Sequence, residues 1–362
     1  MPLSRLVLIT LALCVLGGSG GFLASRTPLP LPWLLGSLMV CAALSIWSPR
    51  QLDTNYRFPQ SFRLPFIAMI GLLIGAQVSP ELLSTPSTLA LSMGAIIVFV
   101  PLALGANYVI FRRFGGYDHA TAFYSAAPGG LLEAITMGEA AGADIRRLVT
   151  QQFLRIIAVI GLVPLGLSLW EGHPLGSAAG MGLSGSAAPI NWPVLLAALA
   201  AGIALGKLLR LPAWQLTGAL LVSATLALTG HPLSLPSWLV SVAQVVVGTS
   251  LGMRFTGLSR AMLLRGLWLS LISVSAMLLI GAALSLLLLS VTGQSFEVLL
   301  ITFAPGGVNE MALVALSLHA NPAFVTLHHV FRITVTVILL GLMKRWLGRR
   351  RPADAENDPR KL

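Results

Sequence analysis

The sequence predicts an all-α integral membrane protein built as two inverted repeats, each with five transmembrane helices and one broken or re-entrant Pro-Gly-Gly segment. Three observations carry that expectation. Hydrophobic residues fill 56% of the 362 positions and charged residues 10%, with a mean hydropathy of +0.86, which leaves no room for a sizeable water-soluble domain. Apolar runs near the ~20 residues that cross a bilayer recur from end to end, with Gly, Pro and charge confined to short gaps. One motif occurs twice, 177 residues apart.

The elements follow in order. The first copy supplies runs near 6–24, 31–48, 64–80, 88–111 and 147–169, and the second near 191–209, 212–230, 236–253, 266–290 and 324–343. These give a first membrane repeat over 1–170, an external linker over 171–190, a second repeat over 191–347 and a charged cytoplasmic tail over 348–362. The run after Arg5 has the length of a signal peptide. Its match in the second copy, near 194–209, makes it structure instead.

The repeated motif sets Ala127-Pro128-Gly129-Gly130-Leu131-Leu132-Glu133 against Ala304-Pro305-Gly306-Gly307-Val308-Asn309-Glu310. At the same shift Gln151-Gln152-Phe153-Leu154-Arg155 falls on His328-His329-Val330-Phe331-Arg332, and Gly71 and Gly75 fall on Gly248 and Gly252. These glycine pairs, like Gly202 and Gly206, have the spacing that lets membrane helices approach closely. Proline lacks an amide hydrogen and Gly-Gly is permissive, so the segments 119–141 and 296–319 are expected to break near their middles.

Loop charge bears on whether those segments cross. If each returns on its own side, the copies are inverted. The cytoplasmic side then receives Arg5, the group Arg50, Arg57 and Arg63, the pairs Arg112/Arg113 and Arg146/Arg147, Lys207 and Arg210, the group Arg254, Arg260 and Arg265, and the tail from Lys344; Arg26 falls outside. If each crosses, the loop with Arg254, Arg260 and Arg265 moves outside, against the positive-inside tendency. The inverted arrangement is therefore expected, with both termini cytoplasmic.

A broken helix frees backbone amides and carbonyls, and the new N-terminus carries partial positive charge that suits an anion. Glu133 and Glu310 are acids within membrane segments, where such groups usually face a cavity or a partner. They read either as carriers of a coupling ion or as structural ion-pair partners of Arg155 and Arg332. Gln151 and Arg155, like His328 and Arg332, are four residues apart and share a helix face. Gln152 and His329 are expected to face elsewhere. The candidate substrate or ion site is thus Pro128, Gly129, Gly130, Glu133, Gln151 and Arg155, with Pro305, Gly306, Gly307, Asn309, Glu310, His328 and Arg332. Cys14 and Cys41 sit in apolar runs without neighbouring ligands, and adjacent His328 and His329 point in different directions on a helix, so no metal site and no cofactor are expected.

The doubled Pro-Gly-Gly-x-x-Glu segment, followed by a Gln/His-rich helix bearing Arg, resembles the AbrB-type membrane protein family, over about 1–347 of the chain. That resemblance implies an internal duplication and brings two labels, ammonia monooxygenase and regulator of the aidB gene. A copper oxygenase needs a cluster of His and carboxylate ligands that these residues do not make, so no enzyme is expected. The net charge of +11 lies in loops and tail and is better explained by membrane orientation than by nucleic acid. The expected function is secondary transport of a small solute across the inner membrane, with the site between the two motifs. The other reading is a membrane-embedded regulator or scaffold that alters gene expression indirectly. Expected partners are lipid and a small solute or ion, with homo-oligomerisation open.

Overall fold

The computed structural model describes residues 3–27, 29, 31–47, 56–78, 86–172, 191–256, 260–318 and 320–349. Most of the expected linker, the tail beyond 349, Arg50 and His319 lie outside the described residues. The fold is all-α. Fourteen helices and no strand occur among the described residues, as α1 (Leu3–Ala24), α2 (Pro32–Trp47), α3 (Gln60–Gly75), α4 (Pro86–Arg113), α5 (His119–Ser125), α6 (Leu131–Ala140), α7 (Ile145–Glu171), α8 (Trp192–Leu208), α9 (Trp214–Leu228), α10 (Ser237–Gly252), α11 (Arg260–Thr292), α12 (Phe296–Phe303), α13 (Val308–Ser317) and α14 (Pro322–Arg349). A 3₁₀ turn, Met253–Phe255, continues α10.

Among the described residues six helices are long and apolar enough to cross a membrane: α1, α4, α7, α10 with its 3₁₀ extension, α11 and α14. The other four runs form helices of 15 to 17 residues. At about 1.5 Å per residue these reach roughly 25 Å, short of the ~30 Å hydrocarbon core. They are also the helices packed most closely together, through glycine. A Cβ on Gly71 or Gly75 of α3 would run into the Leu216 and Leu220 carbonyls of α9. Gly248 and Gly252 of α10 press in the same way on the Leu34 and Leu38 carbonyls of α2.

The main helix contacts recur with the copies exchanged. α1 packs on α2 as α8 does on α9, α2 on α10 as α9 on α3, and α4 on α14 as α11 on α7, while α4 meets α11 and α3 meets α10. This exchange is the signature of an approximate two-fold relation between the copies. It fails at one place: α13 and α14 pack on α3, whereas α6 and α7 make no comparable contact with α10.

Candidate functional site

Both motif segments break where proline and glycine fall. Asp118 caps α5 by accepting from the Thr121 amide at 2.9 Å, and α5 ends before Pro128. Burial alone would raise the Asp118 carboxyl, but bonds from Thr121 and Ala120 hold it below its ordinary value. The chain then turns through Gly129 and Gly130 into α6. Gly130 has φ +64°, a left-handed conformation that disfavours side chains. The Asp144 amide, at the start of α7, donates to the Thr121 hydroxyl at 2.7 Å. The two ends of the first segment therefore meet, and α5 and α6 form a hairpin.

The helix after each hairpin holds it by side chains at matching positions. Arg155 donates through Nη1 to the Ala127 carbonyl, and Gln152 Nε2 donates to the Tyr124 carbonyl at 3.0 Å. In the second copy Arg332 Nη1 donates to the Ala304 carbonyl at 2.5 Å and to Phe303 at 3.1 Å, and Nη2 to Gly306 at 3.0 Å. His329 Nε2 lies 2.9 Å from the Ile301 carbonyl. The carbonyls so engaged include those that a helix C-terminus leaves without partners, and a cation there also meets the negative end of the helix dipole. Arg155 is 5% exposed and Arg332 1%, with Nε of each unpartnered.

Each hairpin meets the anchoring helix of the other copy. Gly129 lies against Ile333 and Thr336 of α14, Gly130 lies against Val337, and α13 touches α7. Arg155 and Arg332 are close enough for their charges to interact. Neither glutamate forms an ion pair with either arginine. Glu133 is half-buried in the first turn of α6. Glu310, in the first turn of α13, is 5% exposed, with its carboxylate folded toward Gly307 and Asn309 half-buried beside it.

Gln151 and His328 point away from this centre. Gln151 donates to Ser270 Oγ of α11 at 2.6 Å and accepts from the Tyr117 hydroxyl at 3.2 Å, while His328 Nε2 lies 2.8 Å from Ser92 Oγ of α4. The expected faces are thus exchanged: Gln152 and His329, three residues before the arginines, reach the hairpins instead. Spacings of three and four place residues equally well on a shared helix face, so either pair suits the sequence. Adjacent His328 and His329 have separate partners on α4 and α12.

The sequence marks two further residues only as orientation charges. Arg63, in the first turn of α3, and Arg254, in the 3₁₀ turn, line a cavity of about 470 Å³ between α3, α7 and α10. Glu310 is near enough to interact electrostatically with both. Only folding reveals this, because positions 63, 254 and 310 have no common spacing.

Comparison with known proteins gives concordant relatives. The chain is 29% identical to "Uncharacterized protein YhjN" of Bacillus subtilis (strain 168), covering 90% of this chain and 89% of that protein. It is 28% identical to "Putative regulator AbrB" of Escherichia coli (strain K12), covering 91% and 93%. The family described as "Transition state regulatory protein AbrB" matches residues 48–348, a span holding both hairpins and the helices that anchor them. By that match the chain belongs to the AbrB family.

Proposed function

We propose that the protein is a secondary transporter of a small solute, with its substrate or coupling-ion site between the two Pro-Gly-Gly hairpins, in two inverted repeats of the cell's inner membrane. The observation that carries this reading is the failure of the two-fold exchange. One cavity opens between α3, α7 and α10, while the corresponding region of the other copy, around Leu73, Leu235 and Leu239, is packed with apolar side chains. A region open in one copy and shut at the matching place in the other is what alternating access requires of an inverted repeat, although here the open region is lined by arginines and the shut one by apolar side chains. The Thr121–Asp144 contact favours hairpins that return on their own side, hence inversion with both termini cytoplasmic. On this reading the protein is not an enzyme and needs no cofactor or nucleic acid.

The name of the Escherichia coli relative favours a regulatory role there. Transport of a signalling solute would produce such a phenotype indirectly. Metabolite profiling of a deletion strain against a complemented one identifies the solute, and its flux is then measured in proteoliposomes. Glu310→Gln and Glu133→Gln keep side-chain shape but cannot titrate, so each should abolish flux or its pH dependence while folded protein persists. Normal flux in both variants would remove the site assignment.

A further inference from the structure

We infer that the cavity between α3, α7 and α10 binds a small oxyanion, a solute bearing a carboxylate or phosphate, through Arg63 and Arg254, and that Glu310 competes with it for these two guanidiniums. The inference deepens the transporter reading by giving the solute a charge. Its chemistry stands on the cavity alone.

The volume of about 470 Å³ lies within the roughly 300–1,000 Å³ usual for small-molecule sites. Three arginines, Arg57, Arg63 and Arg254, line it, and none of its described lining residues is acidic. A cleft of one charge sign between low-dielectric walls concentrates counter-ions and repels cations. The guanidiniums are also positioned. Arg63 Nη1 reaches Ser250 Oγ at 3.4 Å, and Arg254 stacks on the Phe153 ring with its guanidinium carbon 4.2 Å from the centroid. Stacking holds a planar fork without using its in-plane N–H donors, which match the two oxygens of a carboxylate or phosphate.

Glu310 completes the arrangement. It interacts electrostatically with both arginines, and they with it, yet it lies within ion-pair distance of neither. It is not among the residues that line the cavity. Buried on α13 beside the Gly307 turn, it is, when ionised, a counter-charge held outside the cavity lining. An arriving oxyanion and Glu310 then draw on the same positive field, so each weakens the hold of the other.

The test uses the full chain in nanodiscs of neutral phosphatidylcholine, with inorganic phosphate and succinate as probes in calorimetry at low salt. Saturable binding of at least one probe is expected. Arg63→Gln and Arg254→Gln should each weaken it by about tenfold or more, and the Lys variants by less, because charge remains without the fork. Glu310→Gln should tighten it, and Arg26→Gln, exposed just beyond the end of α1, should leave it unchanged. Thermal melting of every variant separates lost binding from lost folding, and a folded Arg→Lys protein carries the test if Arg→Gln does not fold. Absence of saturable binding by folded wild-type protein overturns the inference, as does binding indifferent to Arg63 and Arg254. A second arm uses phosphatidylglycerol nanodiscs and mass spectrometry. Retention of that lipid through the same arginines, with no binding of either soluble probe, would assign the site to a headgroup and overturn the solute. Binding without flux would keep this inference and remove the transporter; flux of an uncharged solute, unaffected by Arg63→Gln, would do the reverse.

Discussion

Arg155 and Arg332 are the residues on which both hairpins hang, and their chemistry is that of a cap placed in the interior. Each fills carbonyls at the broken end of a short helix, where neither water nor a continuing helix can. Arg332→Gln should strand the Phe303 and Gly306 carbonyls, each costing about 1–3 kcal/mol when left unsatisfied, while the Ala304 carbonyl keeps the Gly306 amide. A clear fall in melting temperature by fluorescence-detected size exclusion is expected, with Arg332→Lys falling less. An Arg332→Gln protein that melts like wild type would show that the guanidinium is not the anchor. The identity of these residues was legible from the repeat, because Arg155 and Arg332 share the shift of the motif. Their partners were not. Nothing in Gln151-Gln152 or His328-His329 says which of two neighbours will face the hairpin, since that depends on where α4 and α11 lie.

The elements were legible to the extent that a local rule governs them. Pro-Gly-Gly marked both breaks because proline removes an amide and glycine accepts a left-handed turn, as at Gly130. The lengths of α2, α3, α8 and α9 were not, since a short helix is tolerated only because glycine contacts hold it against its neighbour. Gly248→Val should therefore lower the melting temperature, by the roughly 1–3 kcal/mol typical of overpacking. Gly94→Val, which has open space around its Cβ position, should not. For the hairpins the decisive element-scale prediction is topological. In a background lacking Cys14 and Cys41, Phe114→Cys and Ala143→Cys flank the α5–α6 hairpin and should label from the same side of the membrane. Labelling from opposite sides would mean that the segment crosses and that the copies are parallel.

At the scale of the whole molecule, duplication was plain in the sequence while its asymmetry was invisible. Two copies that exchange contacts can match only where their residues agree, as Arg63 and Val240 do not; on the transporter reading, a contact made on one side and missing on the other is also a choice between states. Here α13 and α14 close on α3, and α6 and α7 stand off α10. The shut side is sealed by Leu73, Leu235 and Leu239, and the open side exposes Arg63 and Arg254. If transport exchanges these roles, the apolar seal must part once per cycle. Cysteines at Leu73 and Leu239 oxidised to a disulfide should hold the seal shut. Flux should then fall to background and return on reduction, while oxyanion binding at the open cavity, measured in the same sample, should persist, because the lock lies on the other side of the molecule. Undiminished flux through a fully cross-linked protein would mean that the seal is permanent packing and that solute does not pass between the copies.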